Sequence, residues 1–139
     1  MSSDKFDKLG PLFSKIGEEA AIIVGGNPDG LYLYVEVGDG WVGPSVYRDE
    51  GNAVRYFDAT LELCDLIENA WKAEDPDNIG KRWSVMEYEV HGTKFDVHFK
   101  FPDEVDVEKY DGKRRDRALQ QRFGDKPVIY PPLPDKFRK

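Results

Sequence analysis

The chain predicts an α+β fold: an antiparallel sheet of about five strands with helices packed on one face, a two-layer single domain in the order α-β-β-β-α-β-β-α. Three observations predict it. Apolar residues recur at spacings of three and four over residues 3–22 and again over 59–74, the period of a helix with one buried stripe. Between and after these runs the period drops to two, at Leu31–Val37 and on both sides of a His91-Gly92 turn signal. The 139 residues are 40% hydrophobic and 13% aromatic, enough for one core and too apolar for a disordered chain.

Taken in order, the opening helix places Phe6, Leu9, Phe13, Ile16 and Ala20 on one face, and Pro11 either kinks it or marks its true start. The breaker cluster Gly25–Gly30 ends it; its Gly-Gly pair lacks the lysine and Ser/Thr of a phosphate loop. Leu31, Leu33, Val35 and Val37 then face one way and Tyr32, Tyr34 and Glu36 the other, a half-buried strand. Gly38-Asp39-Gly40 turns the chain into a second strand, Trp41–Tyr47, where Pro44 signals an edge or a bulge. After a turn at residues 49–52, Val54–Phe57 completes a three-strand meander.

Asp58 is the expected cap of the second helix, whose stripe is Leu63, Leu66, Ile67, Ala70 and Trp71. The hairpin of residues 81–101 follows a loop over 75–80. With His91 and Gly92 as its two-residue turn, Val90 faces Thr93, Glu89 faces Lys94 and Tyr88 faces Phe95. Met86, Tyr88, Val90, Phe95, Val97, Phe99 and Phe101 make one apolar face. Trp83, Val85, Glu87, Glu89, Lys94, Asp96, His98 and Lys100 make the other. An acidic patch (Asp103, Glu104, Asp106, Glu108) precedes a last helix over about 112–123, with Leu119 and Phe123 at i and i+4 and Gly124 as its stop. The single domain thus spans 1–124, and 125–139 is a proline-rich tail expected to run extended over the surface.

Charge and composition narrow the function. Residues 1–80 hold 16 acids against 6 bases (−10), and residues 81–139 hold 11 against 14 (+3), for a net −7. Such a body disfavours nucleic acid and suits a basic partner, although acidity for solubility alone is the commoner reason for it. No apolar run approaches the length of a membrane span, and the N-terminus lacks a hydrophobic signal core. With a single cysteine, Cys64, the expected compartment is cytoplasmic.

Chemistry is less legible. Glu87, Glu89, Asp96 and His98 share a strand face of the kind that holds divalent ions, but Lys94 opposite Glu89 and plain solvation account for that face without a metal. Asp96-x-His98-x-Lys100 matches part of a metal-dependent nuclease strand without the upstream acid that fold requires. Cys64 lies beside a buried stripe, not at a helix N-terminus where a thiolate is favoured. The basic run Lys113–Arg117 is interleaved with acids that pair with it. We therefore expect no catalytic residues, no metal and no cofactor. What remains is a mixture of aromatics and acids, and Asp39, Trp41, Asp49, Glu50, Glu87, Glu89 and Asp96 are the candidate contacts for a protein partner. The alternatives are a peptide-binding adaptor with a free sheet edge beside Trp41–Tyr47, and a small hydrolase with a metal on Asp96 and His98.

Three stretches carry a family resemblance. Leu31–Gly40 (LYLYVEVGDG), Gly92–Glu104 (GTKFDVHFKFPDE) and Lys113–Gly124 (KRRDRALQQRFG) resemble the YezG-like immunity proteins, over about residues 12–124. The likeness is one of pattern: a Tyr-rich strand, a meander and helix, a K-F-x-hydrophobic-x-F/Y strand into an acidic loop, and a helix with an Arg-Arg pair ending in Gly. Phe123 before that Gly and the proline-rich tail depart from it. The resemblance implies a small cytoplasmic antidote that binds and blocks a cognate secreted toxin, often a nuclease. It carries over no catalytic and no binding residue.

Overall fold

The computed structural model describes residues 2–38, 40–74, 82–102 and 111–131. It is the predicted α+β domain in the predicted order, with three helices and a six-stranded sheet. The elements are α1 (Ser2–Ile23), β1 (Leu31–Gly38), β2 (Trp41–Asp49), β3 (Val54–Phe57), α2 (Leu61–Glu74), β4 (Val85–His91), β5 (Lys94–Lys100), α3 (Asp111–Phe123) and β6 (Val128–Ile129). The strands lie in the order β5-β4-β1-β2-β3-β6, all pairs antiparallel except β3 with β6.

Helix α1 runs through Pro11 and stops at Gly25 and Gly26, whose φ values of 102° and 107° only glycine adopts freely. The Gly26 N–H donates to Ala21 O (2.7 Å) and the Gly25 N–H to Ile22 O (3.1 Å), a Schellman stop that satisfies carbonyls the helix leaves open. The side chains of Phe6 and Leu9 lie outside the described residues. Helix α2 is capped by Thr60, two residues after the expected Asp58: Thr60 Oγ1 accepts from the Leu63 N–H at 3.1 Å. The same hydroxyl donates to Glu19 at 2.9 Å, tying the start of α2 to α1.

One face of the sheet meets both helices. Phe13, Ile16, Ala20 and Val24 of the α1 segment and Leu63, Ile67, Ala70 and Trp71 of α2 pack on Leu31, Leu33, Val35, Val46, Met86, Tyr88 and Val90. Trp83 joins this core instead of the opposite face, because β4 begins only at Val85 and the strand alternation does not reach back to it. The Trp71 indole donates to the Trp83 carbonyl at 2.8 Å, so neither end of that contact is left dry and unpaired.

The other face departs from the expected two-layer arrangement. Strand β1 is buried on both sides, and Tyr32, Tyr34, Tyr47, Val54 and Val85 form a second core with Ala118 and Leu119 of α3. By the alternation of β1, α3 therefore covers the face opposite α1 and α2. The tyrosine-rich face is roofed, not solvated.

In the hairpin the observed pairs are Val90 with Phe95, Tyr88 with Val97 and Glu89 with Asp96, a shift of two residues from the expected register. The turn residues are Gly92 and Thr93, with Gly92 at φ 63° in the first central position and its N–H donating to Asp29 Oδ1 at 2.8 Å. A shift of two preserves both faces, so the apolar set still points at the core. Strand β2 pairs with β1 along its length but with β3 only over Val46–Asp49. Pro44 falls in the half that β3 does not reach, where a missing N–H interrupts the ladder least. The stretch read as a tail supplies β6, which lies parallel to β3; residues 132–139, like the acidic patch 103–110, are outside the described residues.

Candidate functional site

The face under α3 is a layer of matched hydroxyls, carboxylates and guanidiniums. Adjacent strands put Tyr34 beside Glu87 and Tyr32 beside Glu89. The Tyr32 hydroxyl donates to Glu87 at 2.6 Å and the Tyr34 hydroxyl to Glu36 at 2.7 Å. Burial, reinforced by these carboxylates, pushes both phenols far above their ordinary range, so they remain donors at any physiological pH.

Helix α3 brings the cations. Arg114, Ala118 and Arg122 recur every four residues, as do Arg115, Leu119 and Phe123, so one stripe of the helix faces the sheet. Arg114 grips Glu36, which is only 5% exposed, through two nitrogens: Nη2 to Oε1 at 2.6 Å and Nε to Oε2 at 3.0 Å. Arg122 pairs with Glu89 at 3.1 Å, and the Phe123 ring meets Tyr32 edge-on at 5.5 Å. His91 stands 3.3 Å from the same Glu89 carboxylate. The like charges of Glu89 and Asp96, directly opposite in β4 and β5, are thus offset by Arg122.

The candidate contacts do not form one surface. Glu87 and Glu89 are half-buried beneath α3 and already bonded. Asp49 and Glu50 lie at the β2–β3 turn. Lys126 reaches both oxygens of Asp49 (2.9 and 3.0 Å), and Glu50 holds Arg48 and Arg55 at 2.8 and 3.0 Å. The Lys126 ammonium holds the Asp49 carboxyl below its usual range. Trp41 starts the strand that Asp49 ends, roughly 26 Å away along an extended chain. Asp96 is exposed on β5, and Asp39 lies outside the described residues.

Two of the open surfaces among the described residues bear on binding. Trp41 is 51% exposed and leans over Gly38, where a Cβ would collide with the indole. Beside it lies a cavity of about 140 Å³ lined by Tyr34, Glu36, Trp41, Gly43, Pro44, Ser45, Tyr56 and Arg115. At the other end of the sheet an apolar groove of about 370 Å³ runs between α1 and the hairpin, bordered by Gly17, Ala21, Tyr88, Val90 and Phe95. Phe95 is 43% exposed and stacks on Tyr88 at 5.0 Å, on the free edge strand β5.

Sequence reasoning missed Glu36, Arg114 and Arg115. The signal that locates them is a strand with Tyr-x-Tyr-x-Glu on one face and a helix with arginines on the stripe of its only apolar residues. Among the described residues, no three of His, Cys, Asp and Glu are grouped to hold a metal, and no helix is long and apolar enough to cross a membrane. The Cys64 thiol is pushed up by burial and by Asp65, away from a reactive thiolate. Compared with models of known protein families and with curated proteins, the chain matches none.

Proposed function

We propose that this protein is a non-enzymatic immunity protein that binds a basic toxin domain and neutralises it by covering its active or substrate-binding surface. The observation that carries the reading is the exposed indole of Trp41 at the open rim of a strongly acidic chain. A half-exposed tryptophan is an interface anchor, and complementary charge speeds encounter with a basic partner. The three stretches that resemble YezG-like proteins support the same reading and a cytoplasmic location.

The geometry revises the contact set. Reversing Glu89 breaks one of the pairs that tie α3 to the sheet, so it perturbs the fold as well as any interface. Trp41, Glu50 and Asp96 are the exposed members of the set; Glu50 already holds Arg48 and Arg55, so Trp41 and Asp96 are the informative ones to change. Purification of the tagged full chain from its native host is the test. Recovery of a stoichiometric basic toxin domain, lost with Trp41→Ala or Asp96→Lys, bears the reading out. A folded bait that retains no such protein sinks it.

The adaptor reading has one observation in its favour, at β5 and not beside Trp41–Tyr47, which belongs to β2, between β1 and β3: β5 is an edge strand of the described sheet with an apolar groove beside it, the layout that accepts an added peptide strand. Retention of short extended peptides in place of a toxin domain would decide for it.

A further inference from the structure

Two consecutive arginines of α3 meet different fates. Arg114 is forked onto Glu36, and that pair is complete. Arg115 is half-buried, its Nε is shielded from solvent, and this N–H has no hydrogen-bond acceptor among the described residues. No carboxylate among the described residues pairs with it. The Tyr47 hydroxyl, on a fully buried residue beside Ser45, is another polar group without a well-formed hydrogen bond among the described residues. Arg115 stands close enough to the phenols of Tyr47 and Tyr56 to offset part of the upward push of burial on both. A shielded N–H without an acceptor is an unfavourable arrangement in a stable fold unless something else supplies the acceptor.

The cavity beside Trp41 is where that acceptor would sit. Arg115 lines it together with the hydroxyl-bearing Ser45 and Tyr56, and Trp41 and Pro44 give it flat apolar walls. We propose that this cavity is a binding site for a single carboxylate group. Arg115 supplies the charge, the hydroxyls supply donors, and the Trp41 and Pro44 walls take the methylene stem. The arithmetic of charge selects a monoanion. Arg114 and Glu36 cancel, which leaves one positive charge, and the Glu36 carboxylate on the cavity wall repels a dianion such as phosphate. A volume of about 140 Å³ admits the end of an acidic side chain or a small carboxylic acid. The site does not depend on the toxin reading.

Trp41 reports on its occupancy, because Trp71 and Trp83 are buried in the other core. The experiment titrates the full chain, at constant ionic strength, with acetate, with the side-chain carboxylate of N-acetylglutamate α-amide, and with inorganic phosphate. Saturable fluorescence change and a raised Tm are expected with the carboxylates, and weaker binding with phosphate. Arg115→Met should weaken carboxylate binding about tenfold or more, equivalent to about 1.4 kcal/mol. The same variant should melt at or above the wild-type temperature, since it removes a shielded donor without an acceptor; a purely structural arginine would lower it. Ser45→Ala should weaken binding less. If acetate binds as well as the glutamate analogue, the ligand is a free carboxylic acid; if the analogue binds better, it is an acidic side chain of a partner. Either result carries the proposal. No saturable response, a response retained in Arg115→Met, or phosphate binding tightest overturns it.

Discussion

Leu33 and Tyr34 are neighbours in β1 and both are buried, but different physics buries them. Leu33 lies under α1 and α2 in a core whose attractions are nondirectional and follow the area removed from water. Tyr34 lies under α3, where each hydroxyl and carboxylate needs a partner at a particular distance: Tyr34 on Glu36, Glu36 on Arg114, Tyr32 on Glu87, Glu89 on Arg122. The first face tolerates repacking and resents cavities. The second tolerates little loss of a single partner, because each loss strands a buried polar group.

The largest effect should come from the directional face. Arg114→Ala leaves the Glu36 carboxylate buried without its cation and is expected to cost about 3–5 kcal/mol in urea denaturation. Combining Arg114→Met with Glu36→Gln removes both charges and should recover much of that loss. If the double variant is no better than the single, the pair is not what holds α3 down. On the apolar face, Ile67→Ala should cost about 2–5 kcal/mol through lost burial and the cavity left behind, with no charge change able to rescue it.

Alkaline pH separates the faces by a different route. Tyr32 and Tyr34 are pushed well above the ordinary phenol range, and Tyr47 and Tyr88 up to about 12. Because the folded pKa lies above the unfolded one, the stability these groups supply is complete below about pH 10 and falls as pH rises beyond it. Each should contribute a slope of about 1.4 kcal/mol per pH unit until its folded pKa is reached. Three of the four are on the α3 face. Tyr32→Phe with Tyr34→Phe should therefore flatten the alkaline stability profile further than Tyr88→Phe does. Equal flattening would mean that Tyr32 and Tyr34 are not both held above the unfolded value.

The same contrast explains what the sequence reveals. Leu31, Leu33, Val35 and Val37 alternate, and Leu63, Ile67, Ala70 and Trp71 recur on a helical period, so the apolar face and the element order are legible by pattern alone. The hairpin faces are legible too, because a register shift of two leaves them unchanged. The roof over the second face is not. In α3 only Ala118, Leu119 and Phe123 are apolar, and the rest of the contact is arginine meeting glutamate and tyrosine. Polarity patterns read Tyr32, Tyr34, Glu87 and Glu89 as solvent-facing, since they record side-chain type and not the partner that satisfies it. The candidate contacts Glu87 and Glu89 belong to that face, while Trp41 and Asp96 are exposed among the described residues.

The smallest effect belongs at the far end of β2, where Lys126 reaches Asp49 at the surface and each side chain is 34% exposed. There the same kind of charges are solvated and screened. Lys126→Ala should cost less than about 1 kcal/mol and lose that effect in high salt, unlike Arg114→Ala. The sign of its pH dependence is also opposite to that of the phenols. The Asp49 carboxyl is held below its usual range, so its contribution is present above the unfolded value near pH 4 and fades as pH falls through the lowered one. A Lys126→Ala cost as large as that of Arg114→Ala would mean that β6 and the segment around it anchor the sheet as firmly as α3 does, and that burial is not what separates the two ion pairs.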